Sequence, residues 1–177
     1  MHVQEILSKI NDNFRCEVKL QTRAAGVKRI ERHEIFVRIP REKFRDFVKF
    51  LFEIQDHPHF SVISATDLGD KMELLYHFTV DYGKMNEEKV ITVCVSLPKD
   101  DLRIESITDL IPGAHISERE IHEMVGVEFS GLKDTRHFFL PDDWPDGKYP
   151  WRRDDTFPGE MVNKLYETWK EGCGDDE

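Results

Sequence analysis

The chain has few cysteines, and they stand far apart. Cys16, Cys94 and Cys173 are its three cysteines. An odd number without the short spacings of ligand motifs predicts neither a disulfide framework nor a zinc or iron–sulfur site. Cys94 falls in an apolar, strand-like run and is expected to be a buried, inert thiol. No redox role is therefore expected from the cysteines.

Positive charge and long apolar runs are also scarce. The chain has 25 Lys and Arg residues against 35 Asp and Glu residues, which gives a formal net charge of -10. Nucleic acid needs a basic surface and an anionic membrane needs a polybasic cluster, so neither is an expected partner. The longest apolar stretches, such as Val90–Val95, fall far short of the roughly 18 residues that span a bilayer. Met1–Glu5 lacks the basic n-region of a secretory signal, so we expect a cytoplasmic protein without a membrane span.

Short catalytic and metal-binding motifs are missing as well. The sequence has no Gly-x-Ser-x-Gly, P-loop or Gly-x-Gly-x-x-Gly motif. His57 and His59 have no third ligand nearby, and His122 lacks the second histidine of a zinc-binding helix. Asp142 and Asp143 lack the spacing of a calcium loop. Metal binding is therefore not expected.

Apolar periodicity, in contrast, is well developed and predicts an α+β fold. We expect a mixed or antiparallel sheet of about four to five strands with helices packed on one face. Three consecutive strand-like runs separated by turn residues predict a β-meander. The predicted helices cover residues 2–14, 40–53, 104–111, 117–125 and 160–171, and the predicted strands cover residues 17–21, 32–39, 60–68, 72–82 and 89–97.

A C-terminal arm is predicted to follow this domain. Residues 1–131 are assigned to the α+β core, and residues 132–177 to an extended docking arm that ends in a short helix and a mobile acidic tail. Prolines exclude a long helix or central strand between residues 140 and 159. The aromatic side chains of the arm favour an ordered segment that lies on a surface. That surface belongs either to its own domain or to a partner. The aromatic residues are Trp144, Tyr149, Trp151 and Phe157.

The helix at residues 117–126 has a dense set of charges. Ser117 and Glu120 have the spacing of a capping box, and Gly126 is placed to end the helix in a left-handed conformation. Arg119 and Glu123 are expected to pair and to point away from the core. The core-facing residues are predicted to be Ile121, Met124 and Val125.

Residues 117–155 resemble the family of the 30-kDa subunit of respiratory complex I. The resemblance lies in Glu118-Arg119-Glu120-x-x-Glu123-Met124-x-Gly126-Val127-x-Phe129-x-Gly131, then Arg136, Leu140-Pro141-Asp142-Asp143-Trp144 and Gly147-x-x-Pro150-x-Arg152-x-Asp154. Leu132 stands where many members have His, and Phe138-Phe139 replace a usual aliphatic pair. The short length and the Leu-Pro-Asp-Asp-Trp-Pro run look most like the version in archaeal and bacterial membrane-bound [NiFe]-hydrogenase-like complexes, and the high charge content suits a thermophile.

The resemblance implies a non-catalytic assembly subunit of the cytoplasmic, hydrophilic arm of such a complex. Members of the family hold no cofactor. They dock on the large catalytic-type subunit and on the proximal iron–sulfur subunit, which hold the iron–sulfur clusters and, in hydrogenase-type complexes, a [NiFe] centre. The chain would reach the membrane only through other subunits. Under this resemblance, the interface residues are Glu118, Arg119, Glu120, Glu123, Arg136, Asp142, Asp143, Trp144, Tyr149, Trp151, Arg152 and Arg153.

An alternative of another class is a free-standing α+β enzyme or small-molecule-binding domain. Its site would be the acidic helix 118–125, where Glu120 and Glu123 lie one turn apart and could titrate as a pair. Arg119 beside them would keep both carboxylates ionised, which does not suit a general acid. The residues therefore favour a structural helix, with an interface as the function.

Overall fold

The computed structural model describes residues 2–27, 29–84 and 86–159. The predicted helix at 160–171 and Cys173 lie outside these residues. The bounds agree with the predicted elements to within a few residues, apart from the region that follows the meander. In chain order the elements are α1 (Val3–Asn13), β1 (Glu17–Ala25), β2 (Ile30–Arg38), α2 (Arg41–Ile54), β3 (His59–Asp67), β4 (Lys71–Val80), β5 (Lys89–Pro98), β6 (Arg103–Glu105), α3 (Ala114–Val125) and β7 (Glu128–Ser130).

The main sheet has five strands in the order β1-β2-β5-β4-β3. β1 pairs with β2, β3 with β4, and β4 with β5, all antiparallel, so the predicted meander is confirmed. The remaining pair, β2 with β5, is parallel and aligns Ile35 with Ile91. Its two strands are far apart in sequence, and this pair joins the β1–β2 hairpin to the meander. The sheet is therefore mixed.

The helices cover one face of this sheet. Strand β4 alternates between buried and half-buried residues, as expected for a strand with one covered face. Phe44 of α2 lies against Tyr76 of β4 with ring centroids 4.2 Å apart, and Phe14, after α1, contacts Phe47 at 5.1 Å. One continuous core contains buried side chains from α1, α2, α3 and the sheet. The predicted two-layer α+β fold is confirmed.

The prediction of a helix at 104–111 is wrong. Residues Arg103–Glu105 form the short strand β6, which pairs in parallel with β7. Ile104 and Ile107 have helical spacing, but Ile104 aligns with Phe129 across the two strands. Residues 107–111 then form a turn in which Ile111 N–H donates to the Ile107 carbonyl. Pairing with a distant segment outweighs the local apolar spacing here.

Candidate functional site

Helix α3 begins earlier than predicted. Its N-cap is Gly113, in a helical conformation and without a side-chain cap bond. The carbonyls of Ile111 and Pro112 accept the N–H groups of Ala114 and His115, so the first turn of the helix lies before Ser117. Ser117 is buried inside the helix. The predicted capping box of Ser117 with Glu120 is wrong.

The end of α3 and its apolar face agree with the prediction. Gly126 is the C-cap with φ of 71°, and its N–H donates to the His122 carbonyl. The imidazole of His122 shares a hydrogen bond of 2.8 Å with the Val127 carbonyl and so ties the helix end to the next residues. The predicted core side chains are buried, namely Ile121, Met124 and Val125.

Glu118 is fully buried under the β6–α3 connection. Its carboxylate accepts hydrogen bonds from Ser106 Oγ at 2.7 Å and from Ile107 N at 2.8 Å. Burial raises the pKa of Glu118, and the hydrogen bonds from Ile107 and Ser106 offset part of that increase. The side chain therefore fixes α3 to the segment that leads into it.

Arg119 reaches from α3 to the start of the arm. Its guanidinium donates to the Arg136 carbonyl at 2.6 and 3.1 Å and to the His137 carbonyl at 3.1 Å. The same group lies 3.6 Å from the Asp134 carboxylate. Hydrogen bonds from Arg136 lower the pKa of Asp134, and the charge of Arg119 adds to that effect. Arg119 is therefore largely buried by its own chain.

Glu123 holds the next two residues of the arm. Its two carboxylate oxygens each accept a backbone N–H, from Phe138 and from Phe139, both at 2.8 Å. Only 5% of the residue is exposed. The prediction that Arg119 and Glu123 pair with each other is wrong: each binds the main chain of residues 136–139 instead. We call these two side chains the α3 clamp.

A second contact joins the arm to the end of α3. Arg152 Nε donates to the Val125 carbonyl at 2.7 Å, and its guanidinium lies 4.3 Å from the Tyr149 ring centroid. Trp151 N–H donates to the Met124 carbonyl at 3.1 Å. A cation is favourable at a helix C-terminus, where carbonyls lack helical partners. The arm therefore packs on its own domain at this point.

An ion pair between a partly exposed lysine and a buried carboxylate provides the third contact, which we call the Lys99 bridge. Lys99 Nζ contacts Asp67 at 2.7 Å and also contacts Asp154 of the arm. Asp67 additionally accepts the backbone N–H of Arg153 at 2.9 Å. Although burial alone would raise the pKa of Asp154, hydrogen bonds from Lys99 and Thr156 lower it to about 2. Lys99 thus joins β3, the end of β5 and the arm.

The other predicted interface residues lie at or near the surface. Trp144 is half-buried and Trp151 is exposed, whereas the Arg136 side chain is 85% exposed although it pairs with Asp134. Trp144 Nε1 donates to the Lys148 carbonyl at 2.8 Å within one turn of the arm. Glu120 is half-buried. The exposed acids and base are Asp142, Asp143 and Arg153. Their assignment to a partner surface stays a prediction.

Sequence reasoning missed several residues that build this site. Asp67 ends β3 and Lys99 lies in the turn after β5, and no local pattern links either residue to the arm. Asp134 receives both Arg119 and Arg136, which only the fold brings together. Phe138 and Phe139 were noted only as a departure from the family, yet they are 47% and 56% exposed. The signal available in the sequence was two adjacent phenylalanines in a charged segment.

The described residues contain neither a candidate metal cluster nor a candidate membrane span. Within them, no group of three or more His, Cys, Asp or Glu side chains is placed to hold a metal ion. In the same part of the chain, no helix is long and apolar enough to cross a membrane. A cavity of about 610 Å³ is lined by residues that include Arg45, His115 and Lys133, and none of residues 118–125 lines it.

Comparison with known proteins places these features in a family. The chain is 35% identical over 159 residues to the membrane-bound hydrogenase subunit beta of Pyrococcus furiosus, covering 89% of this chain and 88% of that protein. It is 32% identical over 151 residues to a subunit of the NADH-quinone oxidoreductase of Chloroherpeton thalassium, covering 70% of this chain and 61% of the relative. These relatives are subunits of multi-subunit respiratory complexes.

A solved structure has the same fold at 28% sequence identity. It is the structure of the membrane-bound sulfane sulfur reductase, an archaeal respiratory membrane complex; the TM-score is 0.72, with 93% of this chain and 91% of that chain covered. The family model described as respiratory-chain NADH dehydrogenase, 30 Kd subunit, matches residues 37–161, which include α3 and most of the arm. The chain therefore belongs to the family of the 30 Kd subunit of the respiratory-chain NADH dehydrogenase.

Proposed function

We propose that this chain is a non-catalytic, cofactor-free assembly subunit of a membrane-bound, complex I-like oxidoreductase. It lies in the hydrophilic arm on the cytoplasmic side and docks on the large catalytic-type subunit and on the proximal iron–sulfur subunit. The iron–sulfur clusters and any [NiFe] centre belong to those partners. The names of the relatives, a hydrogenase subunit and a quinone oxidoreductase subunit, support this placement.

The proposal rests on the observation that the carboxylates of Glu118 and Glu123 in α3 are hydrogen-bonded within the chain. Both oxygens of Glu123 accept backbone N–H groups, and the Glu118 carboxylate is fully buried with two donors of its own. A general base must lie within hydrogen-bond distance of the proton that it takes from a bound molecule. Neither of these two carboxylates is placed to do so. The charged helix therefore supports the arm, whose outer side remains available to a neighbour.

A pull-down from membranes tests this function. We expect Trp144→Ala and Arg152→Ala each to lower co-purification of the partner subunits by about tenfold or more, because truncated aromatic and arginine anchors weaken protein interfaces most. Arg152 also fixes the arm to the end of α3 through the Val125 carbonyl. Its loss should therefore displace the arm residues that face the partner as well. The measurement is quantitative mass spectrometry of subunits retained by a tagged chain.

The control is Tyr82→Ala, since Tyr82 is an exposed aromatic residue outside the arm, stacked on His59 with ring centroids 4.0 Å apart. This variant should retain the partners. Normal co-purification of both arm variants would contradict the proposal. So would turnover by the purified chain that Glu120→Gln abolishes, because that result would favour an enzyme that uses helix 118–125.

A further inference from the structure

Phe138 and Phe139, which we call the aromatic pair, form an exposed apolar feature in the described part of the arm. The two rings meet edge to face, with centroids 4.6 Å apart and planes at 85°. About half of each residue is accessible to solvent, 47% and 56% respectively. The Arg119 guanidinium lies 5.4 Å from the Phe138 ring centroid. Two adjacent aromatic side chains therefore project from the protein in a defined mutual geometry.

The α3 clamp holds the backbone beneath this pair. Glu123 binds the N–H groups of both residues, and Arg119 binds the two preceding carbonyls. The His137 imidazole also shares a hydrogen bond of 2.9 Å with the Pro141 carbonyl, which closes the segment into a tight loop. Fixing a backbone costs conformational entropy that burial of side chains normally offsets. Here about half of each ring remains exposed to water, so the hydrogen bonds from α3 are what hold the backbone in one conformation.

Such an arrangement is preorganised for binding. A ligand that meets a fixed segment does not have to order it, and the corresponding entropic cost is removed from the association. Aromatic residues are enriched in the cores of protein interfaces, with charged residues at the rim. The exposed Arg136 precedes the pair, and the exposed Asp142 and Asp143 follow it closely. Charged side chains thus flank an apolar centre: Arg136, which also pairs with Asp134, lies on one side, and two carboxylates lie on the other.

We infer that the aromatic pair is the apolar anchor by which this chain enters a pocket of a neighbouring protein subunit. The pocket has an apolar floor that takes the two rings, a carboxylate at the edge that faces Arg136, and a basic group at the edge that faces Asp142 and Asp143. The inference rests on the proposed function and specifies the docking contact. It also assigns Arg119 and Glu123 as positioning residues that act through the arm.

A folded protein fits these features better than a lipid surface. Insertion into an anionic membrane would bring Asp142 and Asp143 next to lipid head groups of the same sign, and the chain as a whole has a net charge of -10. A bilayer accepts aromatic side chains in many orientations and gains little from a fixed edge-to-face pair. A shaped pocket does gain from it, since complementarity depends on fixed geometry.

The test is the double variant Phe138→Ser with Phe139→Ser in the full chain within its membrane complex. We expect co-purification of at least one partner subunit to fall by about tenfold or more, as for loss of an interface hot spot. Both residues are half-exposed, so thermal unfolding of the purified variant should match the wild type. Phe157→Ser is the matched control, because Phe157 is an exposed aromatic residue of the same arm, and it should retain the partners.

The positioning role has its own readout. Glu123→Gln replaces one of the two acceptor oxygens by an amide nitrogen, which cannot accept from a backbone N–H, so it should lower partner retention by several-fold in the wild-type background. The same substitution should change retention little when both phenylalanines are already serine, because contacts that act through one element are not additive. Equal effects in both backgrounds would assign Glu123 a general structural role instead.

Three outcomes would overturn the inference that the aromatic pair anchors this chain in a neighbouring subunit. Full partner retention by the double serine variant would exclude it, while release by Trp144→Ala and Arg152→Ala would still support the subunit function. Binding of the purified chain to vesicles of anionic phospholipid, lost in the double variant, would indicate a membrane contact. A concentration-dependent dimer in light scattering, lost in the double variant, would indicate a second copy of this chain as the occupant.

Discussion

Lys99→Met is expected to lower the free energy of unfolding by about 3 kcal/mol, because it leaves one buried carboxylate without its cation. The Asp67 side chain is only 1% exposed, and Lys99 is its ionic partner at 2.7 Å. Asp67 would keep two backbone donors, from Gly69 and Arg153, which places the loss at the low end of the range for a broken buried pair. The measurement is equilibrium unfolding in urea, followed by circular dichroism.

The matched control is Lys9→Met. Lys9 pairs with Glu5 at 3.8 Å on the surface of α1, and the two side chains are 43% and 53% exposed. Loss of such an exposed helical pair costs about 0.5 kcal/mol or less. Equal midpoints for the two variants would mean that the Lys99 bridge adds nothing beyond a surface ion pair.

The Lys99 bridge also makes a testable contribution to acid sensitivity. The folded-state pKa of Asp154 is about 2, below its usual value of 3.8. A carboxyl whose pKa is lower in the folded state stabilises the fold above its unfolded pKa, and that contribution disappears as pH falls through the folded pKa. We therefore expect the wild type to lose stability between about pH 4 and pH 2. Lys99→Met should lose less over the same interval, since the cation that lowers the pKa is gone.

Gly126→Ala is expected to cost about 3 kcal/mol and to loosen the arm, since it combines backbone strain of about 1–2 kcal/mol with a lost charged hydrogen bond of about 1.5 kcal/mol. Gly126 has φ of +71°, which L-residues disfavour. A Cβ at this position would also overlap the Tyr149 ring and lie 2.7 Å from Arg152 Nη2. Arg152 would have to leave the Val125 carbonyl. Unfolding in urea reports the stability, and limited proteolysis reports cleavage within residues 140–155.

Gly147→Ala separates the two causes. Gly147 has φ of +72°, but a Cβ there would meet nothing within 4 Å. Its substitution should therefore cost only the strain of a left-handed residue, about 1–2 kcal/mol, and should leave the contact at Val125 intact. The same loss in both variants would show that Tyr149 and Arg152 do not pack on Gly126 in solution.

Local patterns in the sequence predicted most of the fold. The alternation along Met72–Val80 and the helical stripe of residues 41–54 depend on neighbours a few positions away, and both elements are confirmed. Pairings between distant segments were not predictable from such patterns. The parallel pairing of β2 with β5 and the short strand β6 depend on contacts that local periodicity does not record.

The candidate site divides in the same way. The end of α3 at Gly126 follows from local backbone chemistry and was predicted correctly. The hydrogen-bond partners of Arg119 and Glu123 were not predicted correctly. Helical spacing suggests that each side chain pairs with the residue four positions away, whereas both bind a loop at residues 134–139 that folds back onto the helix. The resemblance singled out these residues as a group, whereas their contacts within the chain required the three-dimensional structure.

The hydrogen bonds of the α3 clamp to residues 136–139 go only to main-chain atoms, so these bonds do not depend on which side chains that segment has. At residues 138 and 139 the clamp needs an N–H group, which every amino acid except proline supplies. The side chains presented there can therefore change without altering the helix that holds them. Under the proposed anchor role, substitutions in this one short loop would change the partner that the chain binds, while the supporting scaffold stays the same.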